Sequence, residues 1–176
     1  MFPEQIQTPR LVLRKPCRDD APVMFATYSQ DEAVTRYLGW RPHADISEAY
    51  VAVDRFIAGW DAATDFFWFL IDPAGHMMGA IAARSDGDAI HLGFLLARAY
   101  WGRGYMPEAI NAIVSEAFKH PAIARVWAAC DLENTASARA LEKAGFERQG
   151  VLPGFVLLPN LSQVPRDCYR YEKRRT

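Results

Sequence analysis

Apolar residues recur at two different spacings along this chain, and each change of spacing marks a new element. Ile46, Ala49, Tyr50, Val53, Ile57 and Trp60 fall at intervals of three and four, one face of an amphipathic helix. Asp45, with Glu48 three residues on, supplies a capping box for it. A strand at about 9–15 and a helix from Asp19 to about Gln30 precede this stripe. From Phe66 to Asp72 the helical period gives way to a dense aromatic run, which reads as a strand. Asp72-Pro-Ala-Gly75 is a turn, His76 to Arg84 a second strand, and Asp86-Gly87 a hairpin signal that delivers a third strand, His91 to Leu96.

Ile110, Ile113, Val114 and Ala117 then restore the helical period over about four turns. Ala124 to Cys130 reads as a buried strand. Asn134 as N-cap and Gly145 as C′ residue bound a short helix, with Phe146 placed to fold back on Leu141 in a Schellman ending. Residues 149–157 and 166–173 form a closing hairpin. The predicted order β-α-α-β-β-β-α-β-α-β-β gives a mixed α/β sheet with helices on both faces, whose strand order the pattern leaves open.

Between the strand ending at Leu96 and the following helix lies Tyr-Trp-Gly-Arg-Gly-Tyr-Met-Pro. Gly102 and Gly104 allow a tight turn in which the N–H groups of residues 102–106 converge on an anion, and Pro107 suits the first helical position. The helix would then direct its positive end into the loop. Taken by itself the loop reads equally as a structural turn. A Walker loop is excluded because Glu108 stands where Lys and Ser/Thr would be, and a Rossmann fingerprint because no third glycine follows.

An Asn134-x-x-Ser137 helix that ends in Glu142-Lys-Ala-Gly-Phe146 follows this Gly-x-Gly loop by about thirty residues, with a strand between them. That arrangement resembles the GNAT superfamily of acetyl-CoA-dependent N-acetyltransferases, within it the branch of RimJ/RimL-type ribosomal-protein N-terminal acetyltransferases. Thr8-Pro-Arg-Leu-Val-Leu-Arg14, Val34-Thr-Arg-Tyr-Leu-Gly-Trp40 and Arg166-Asp-Cys-Tyr-Arg-Tyr171 extend the resemblance to roughly residues 7–172. The family loop Gln/Arg-x-x-Gly-x-Gly/Ala is matched at Gly104, whereas Trp101 and Met106 depart from it, and Met106 narrows the space near the diphosphate.

The resemblance implies a GNAT fold: a mixed, mostly antiparallel central sheet in one domain over residues 1–176, helices on both faces, and splayed strands at the cofactor site. Those strands are His91 to Leu96, with Gly93 as a bulge residue, and Ala124 to Asp131. It implies that acetyl-CoA is held by Phe94, Leu95, Leu96, Gly102, Arg103, Gly104, Tyr105, Met106, Asn134 and Ser137. The N–H of Phe94 or Leu95 would face the acetyl oxygen. His91 occupies the position of the family's glutamate base and could take the amine proton through a water at its ordinary pKa of about 6.5. Ser137 is the expected proton donor to the thiolate, with Asp167, Tyr169 and Tyr171 as alternates. Tyr28, Trp40, Phe155 and Asp167 are expected around the acceptor.

The implied reaction is direct transfer of acetyl to a primary amine. Deprotonating a lysine of pKa about 10.4 at pH 7 costs near 4.6 kcal/mol, an α-amine of about 7.8 roughly 1 kcal/mol. A site without an obvious carboxylate base therefore favours a protein or peptide N-terminus. A small amine such as an antibiotic or amino acid is the alternative acceptor, and a catalytically weak CoA-binding regulatory module the alternative function.

Composition narrows the surroundings. The chain has 176 residues, 51% of them hydrophobic, enough for one core. A net charge of −1 gives no broad field for nucleic acid or membrane, although basic residues gather at the C-terminal end. Cys17, Cys130 and Cys168 are odd in number and lack a C-x-x-C pair, so neither a disulfide scaffold nor a metal site is expected. With no signal-like run or apolar span, the expectation is a cytoplasmic protein, monomer or homodimer.

Overall fold

The computed structural model describes residues 2–175. One eight-stranded sheet runs through it in the order β1-β2-β3-β4-β5-β6-β8-β7. The strands are β1 (Gln5–Gln7), β2 (Val12–Arg14), β3 (Asp65–Ile71), β4 (Met77–Asp86), β5 (Ala89–Leu96), β6 (Arg125–Asp131), β7 (Glu147–Val156) and β8 (Arg166–Arg174). Every neighbouring pair is antiparallel except β5 with β6.

Among the described residues five α-helices cover the sheet: α1 (Asp20–Met24), which continues as a π-helical stretch (Phe25–Ser29), α2 (Glu32–Thr35), α3 (Ile46–Asp61), α4 (Tyr105–Phe118) and α5 (Thr135–Lys143). The strand expected at 9–15 is shortened to β2, and β1 before it was not expected; between them Pro9 lacks an N–H for a ladder and the Thr8 N–H closes a turn onto the Leu11 carbonyl. A helix of four residues such as α2 is about one turn, too short for a period to show in the sequence.

Alternation along the strands divides the core in two. On β3, Phe66, Trp68 and Leu70 join Ile90 and Leu92 of β5, Ile110 and Ile113 of α4 and Leu141 of α5 on one face. Phe69 and Ile71 join Met24, Tyr28 and Val53 on the other. Helices therefore lie on both faces, as the order of elements predicts, with α4 and α5 on one and α1 to α3 on the other. The α3 stripe meets the core from Ala49 onward: Ala49 and Val53 are fully buried and Trp60 is buried, whereas Ile46 at the first turn is exposed, and the Asp45 carboxylate caps the helix by accepting from the Ser47 N–H at 2.8 Å. Glu48 reaches one residue further back, to the Ala44 N–H, where a capping box would have it return to Asp45.

Candidate active site

The parallel pair β5–β6 zips only from Ala89–Arg125 to Leu92–Ala128. Beyond it, Gly93 to Leu96 stay paired with β4 alone, so the two strands part and open a gap on one edge of β5. The β4–β5 register is continuous, and no bulge occurs at Gly93; the parting follows from the end of pairing rather than from an inserted residue. The Ala97 N–H donates to the Met78 carbonyl, which sets the phase of the ladder. By alternation the backbone of Leu95 turns to β4, and that of Phe94 and Leu96 turns to the gap. Of the two amides expected to face an acetyl oxygen, Phe94 is therefore the one presented, and Leu95 is committed to the sheet.

A cavity of about 930 Å³ occupies this gap. Phe94, Leu95, Leu96, Gly102, Gly104, Tyr105, Met106, Asn134 and Ser137 all border it, so the topology brings nine of the expected cofactor residues together. Arg103, the tenth, stands in the same loop between the glycines. Gly102 (φ 75°) and Gly104 (φ 78°) are both in the left-handed region, where glycine is unstrained and alternating residues form an anion-binding concavity. Among the described residues none of the N–H groups of 102–106 has an acceptor within the protein. Helix α4 begins at Tyr105, with Gly104 as N-cap, so Pro107 is its third residue rather than its first. A proline is accommodated there for the same reason, since the N–H groups of the first turn have no intrahelical partner. Met106 is buried in the core under α4.

Helix α5 is built as its ends predict. The Asn134 Oδ1 accepts from the Ser137 N–H at 3.2 Å, and Gly145 (φ 80°) closes a Schellman motif in which the Phe146 N–H donates to the Leu141 carbonyl at 3.0 Å. Capping uses only the oxygen of the Asn134 amide and only the backbone of Ser137. The Asn134 Nδ2 and the Ser137 Oγ make no hydrogen bond among the described residues, and both residues border the cavity.

On the opposite side of the gap His91 packs against Trp127, ring centroids 4.2 Å apart, and Trp127 meets Phe155 edge-on at 6.1 Å with the Arg170 guanidinium 4.5 Å from its centre. Burial, reinforced by the nearby Arg84 charge, pushes the His91 imidazolium down to about 4, well below the ordinary value expected from the sequence. His91 is thus a neutral group at pH 7 and a weak base. Of the carboxylates that border the cavity, Asp131 is buried and held below its usual range by the bidentate Arg166 guanidinium, at 2.6 and 3.1 Å, and Glu32 is exposed on α2. Burial pushes the Cys130 thiol up to about 12 and the Cys168 thiol up to about 11, so both are protonated and neither is an activated nucleophile.

The expected acceptor residues divide. Phe155 borders the cavity. Tyr28 is buried in the core beside Met24 and Val53, and burial raises its phenol pKa further. Trp40 packs against His43, ring centroids 4.9 Å apart and tilted by 41°, and lies outside the cavity, which its neighbours Tyr37, Leu38 and Gly39 border instead. Asp167 is spent on the Gly154 N–H at 2.8 Å, closing an irregular stretch of the β7–β8 pair. Tyr171 is buried and donates to Glu142 at 2.8 Å, and Tyr169 lies under the Arg148 guanidinium; both are on the α4–α5 face of β8, away from the acceptor side. Apart from Phe155, each of these side chains is consumed by packing or by a hydrogen bond elsewhere.

Several residues with no readable signal in the sequence shape the site. The Trp101 indole N–H caps the Leu96 carbonyl at 2.7 Å. The Asn160 Nδ2 donates to the carbonyls of Thr35 and Trp40, both at 2.8 Å, and joins the segment after β7 to the one around α2. Arg10, quoted above only as part of a resemblance, reaches the loop from the far end of the chain, donating to the Arg103 carbonyl at 3.0 Å and the Gly104 carbonyl at 3.2 Å. Among the described residues no cluster of His, Cys, Asp or Glu could hold a metal ion, and no helix is long and apolar enough to cross a membrane.

Residues 10–147 match the acetyltransferase (GNAT) domain family. The chain is 31% identical over 156 residues to the uncharacterized N-acetyltransferase YoaA of Bacillus subtilis (strain 168), covering 86% of this chain and 87% of that one. Its fold is similar to that of the microcin self-immunity acetyltransferase MccE in complex with acetyl-CoA and AMP, with a TM-score of 0.89 at 20% identity over 98% and 97% of the two chains. RimL, a ribosomal α-N-protein acetyltransferase in complex with coenzyme A, superposes with a TM-score of 0.86 at 18% identity over 97% and 98%.

Proposed function

The chain belongs to the GNAT acetyltransferase family, and from that premise we propose that it transfers acetyl from acetyl-CoA to the α-amine of a protein or peptide N-terminus by direct attack. Acetyl-CoA is the cosubstrate of this N-acetyltransferase and supplies an activated acetyl thioester. The observation that carries the reading is the parting of β5 and β6 after Leu92–Ala128, beside a loop whose five successive amides are unused. Residues 102–106 offer those amides to the diphosphate at the positive end of α4. Phe94 offers open backbone and Leu96 its N–H to the pantetheine arm, the Leu96 carbonyl being taken by Trp101, and Asn134 offers its free amide N–H. The Phe94 N–H stabilises the negative charge that develops on the acetyl oxygen. In the transfer the amine nitrogen bonds to the acetyl carbon and the carbon–sulfur bond breaks; Ser137 Oγ–H passes its proton to the departing sulfur, and the proton that the amine releases to water restores the hydroxyl.

The acceptor reading follows from the bases at hand. His91, lowered to about 4, is too weak to draw a proton from a lysine ammonium, and Asp131 is neutralised by Arg166. An amine that is already partly neutral near pH 7.8 needs little help, which favours an N-terminal α-amine over a lysine side chain. His91 then serves as a neutral hydrogen-bond acceptor against the Trp127 ring. Treating a cell extract with the enzyme and isotopically labelled acetyl-CoA tests this directly. Label on protein or peptide N-termini is expected; label confined to small amines would move the acceptor class, and absence of thiol release with any amine would leave a CoA-binding module.

A further inference from the structure

Arg10 lies 94 positions before Gly104 and makes five contacts at the loop, all with groups of the α4 N-terminus. Its Nη1 and Nη2 donate to the carbonyls of Arg103 and Gly104, its Nε and its own backbone N–H donate to the Glu108 carboxylate at 2.6 and 2.9 Å, and its guanidinium lies 4.7 Å from the centre of the Tyr105 ring. Thr8 Oγ1 adds a donation to the same carboxylate at 2.6 Å and accepts from the Leu11 N–H. The turn between β1 and β2 is thereby fixed and presents Arg10 as a rigid fork.

A trans peptide holds its C=O and N–H in one plane, pointing in opposite directions. The Arg103 carbonyl shares its plane with the Gly104 N–H, and the Gly104 carbonyl with the Tyr105 N–H. Holding both carbonyls from one side therefore fixes both amides toward the other, where the cavity lies. Glu108, in the first turn of α4, would otherwise set a negative charge against any anion at that helix end. Burial alone would raise its pKa, but the hydrogen bonds from Thr8 and Arg10 outweigh burial and keep it ionised, so the charge is cancelled by pairing and not by protonation.

We propose that Arg10 is a positioning residue for diphosphate recognition: it draws back two loop carbonyls so that the amides of Gly104 and Tyr105 face the cavity, and it neutralises Glu108 behind them. This rests on the reading of the loop as the acetyl-CoA site. The role needs the geometry of a guanidinium, since one ammonium cannot span two carbonyls and a carboxylate at once.

The test compares two donors, acetyl-CoA and S-acetylpantetheine, which has the thioester arm without the diphosphate. For Arg10→Lys, which retains a charge for Glu108, the KM for acetyl-CoA should rise about 10-fold with kcat within about 2-fold, and for Arg10→Ala by about 10- to 100-fold. The ratio of kcat/KM for acetyl-CoA to that for S-acetylpantetheine should fall by the same factors. An equal loss with both donors would mean that Arg10 merely supports the fold, and full activity in Arg10→Lys would mean that only its charge matters; either overturns the proposal. Calorimetry with coenzyme A separates this from failure of the underlying reading. Binding by the wild-type chain that is unchanged in Arg10→Lys and Arg10→Ala refutes the role of Arg10 alone, whereas no binding by the wild type refutes both.

Discussion

Ser137 illustrates what a single side chain contributes here. Its N–H is consumed by the Asn134 cap, and its Oγ is left free at the cavity wall on the first turn of α5. Replacing Ser137 with Ala should lower kcat on the order of 100-fold while coenzyme A affinity is kept, read by thiol release and calorimetry side by side; wild-type turnover would remove it from the mechanism. At this scale the sequence was a good guide to backbone roles and a poor one to side chains. Gly102, Gly104 and Asn134 do what their residue types dictate, because a positive φ or a cap is a local demand. Tyr28, Trp40 and Asp167 have chemistry suited to an acceptor site, but a phenol, an indole or a carboxylate can equally be spent on core, ring packing or a turn amide. Which of these occurs depends on neighbours that are remote in the chain.

At the scale of elements, α5 carries two duties at its N-terminus. Asn134→Ala removes a cap and should cost about 1 kcal/mol in urea denaturation. Asn134→Ser keeps a capping oxygen but loses the amide donor, so stability should stay near wild type while the KM for acetyl-CoA rises several-fold; an unchanged KM would confine Asn134 to capping. The close approach of β4 to β5 also matters to the site. A Cβ on Gly79 would lie 2.3 Å from the Leu95 carbonyl oxygen and 2.9 Å from the Leu96 Cα, so glycine there keeps the strand that bears Phe94 in place. Elements with a full hydrophobic period or clear caps were legible in the sequence, as α3, α4 and α5 show. Those set by a few residues, such as the break between β1 and β2, the π-helical end of α1 and four-residue α2, were not.

For the whole molecule, the charges that join distant elements predict how stability depends on pH. Burial works against ionisation of Asp20, but its ion pair with Arg14 prevails and lowers its pKa, as Thr8 and Arg10 do for Glu108. For Asp131 the Arg166 hydrogen bonds are the leading cause. Each contributes stability that is full above the unfolded carboxylate pKa and is lost as pH falls through the folded one. His91 adds an earlier loss. Its folded pKa of about 4 lies below its unfolded value, so from about pH 6.5 down to 4 the unfolded chain binds a proton that the native one refuses. The full difference is worth at most about 3 kcal/mol, less with solvent screening. Urea denaturation across pH should give a plateau above 6.5 and a two-stage fall below it. His91→Gln should shrink the upper stage to the part contributed by His43, whose imidazole burial also lowers, and leave the lower stage; an unaltered upper stage would remove His91 from it.

Hydrophobic spacing, turn residues and caps are properties of short stretches, and the chain by itself therefore determined the longer helices and strands, the bare glycine loop and its attachment to a helix. A gap between two strands is a property of pairing across the sheet. Only the tertiary structure decided that β5 and β6 part after Leu92 and Ala128, that Phe94 and not Leu95 faces the opening, and that Arg10 crosses from the first turn to hold the loop. The imidazole of His91 is likewise an ordinary base in the sequence and a weak one in the fold, because burial and neighbouring charge are set by residues brought together only when the sheet closes.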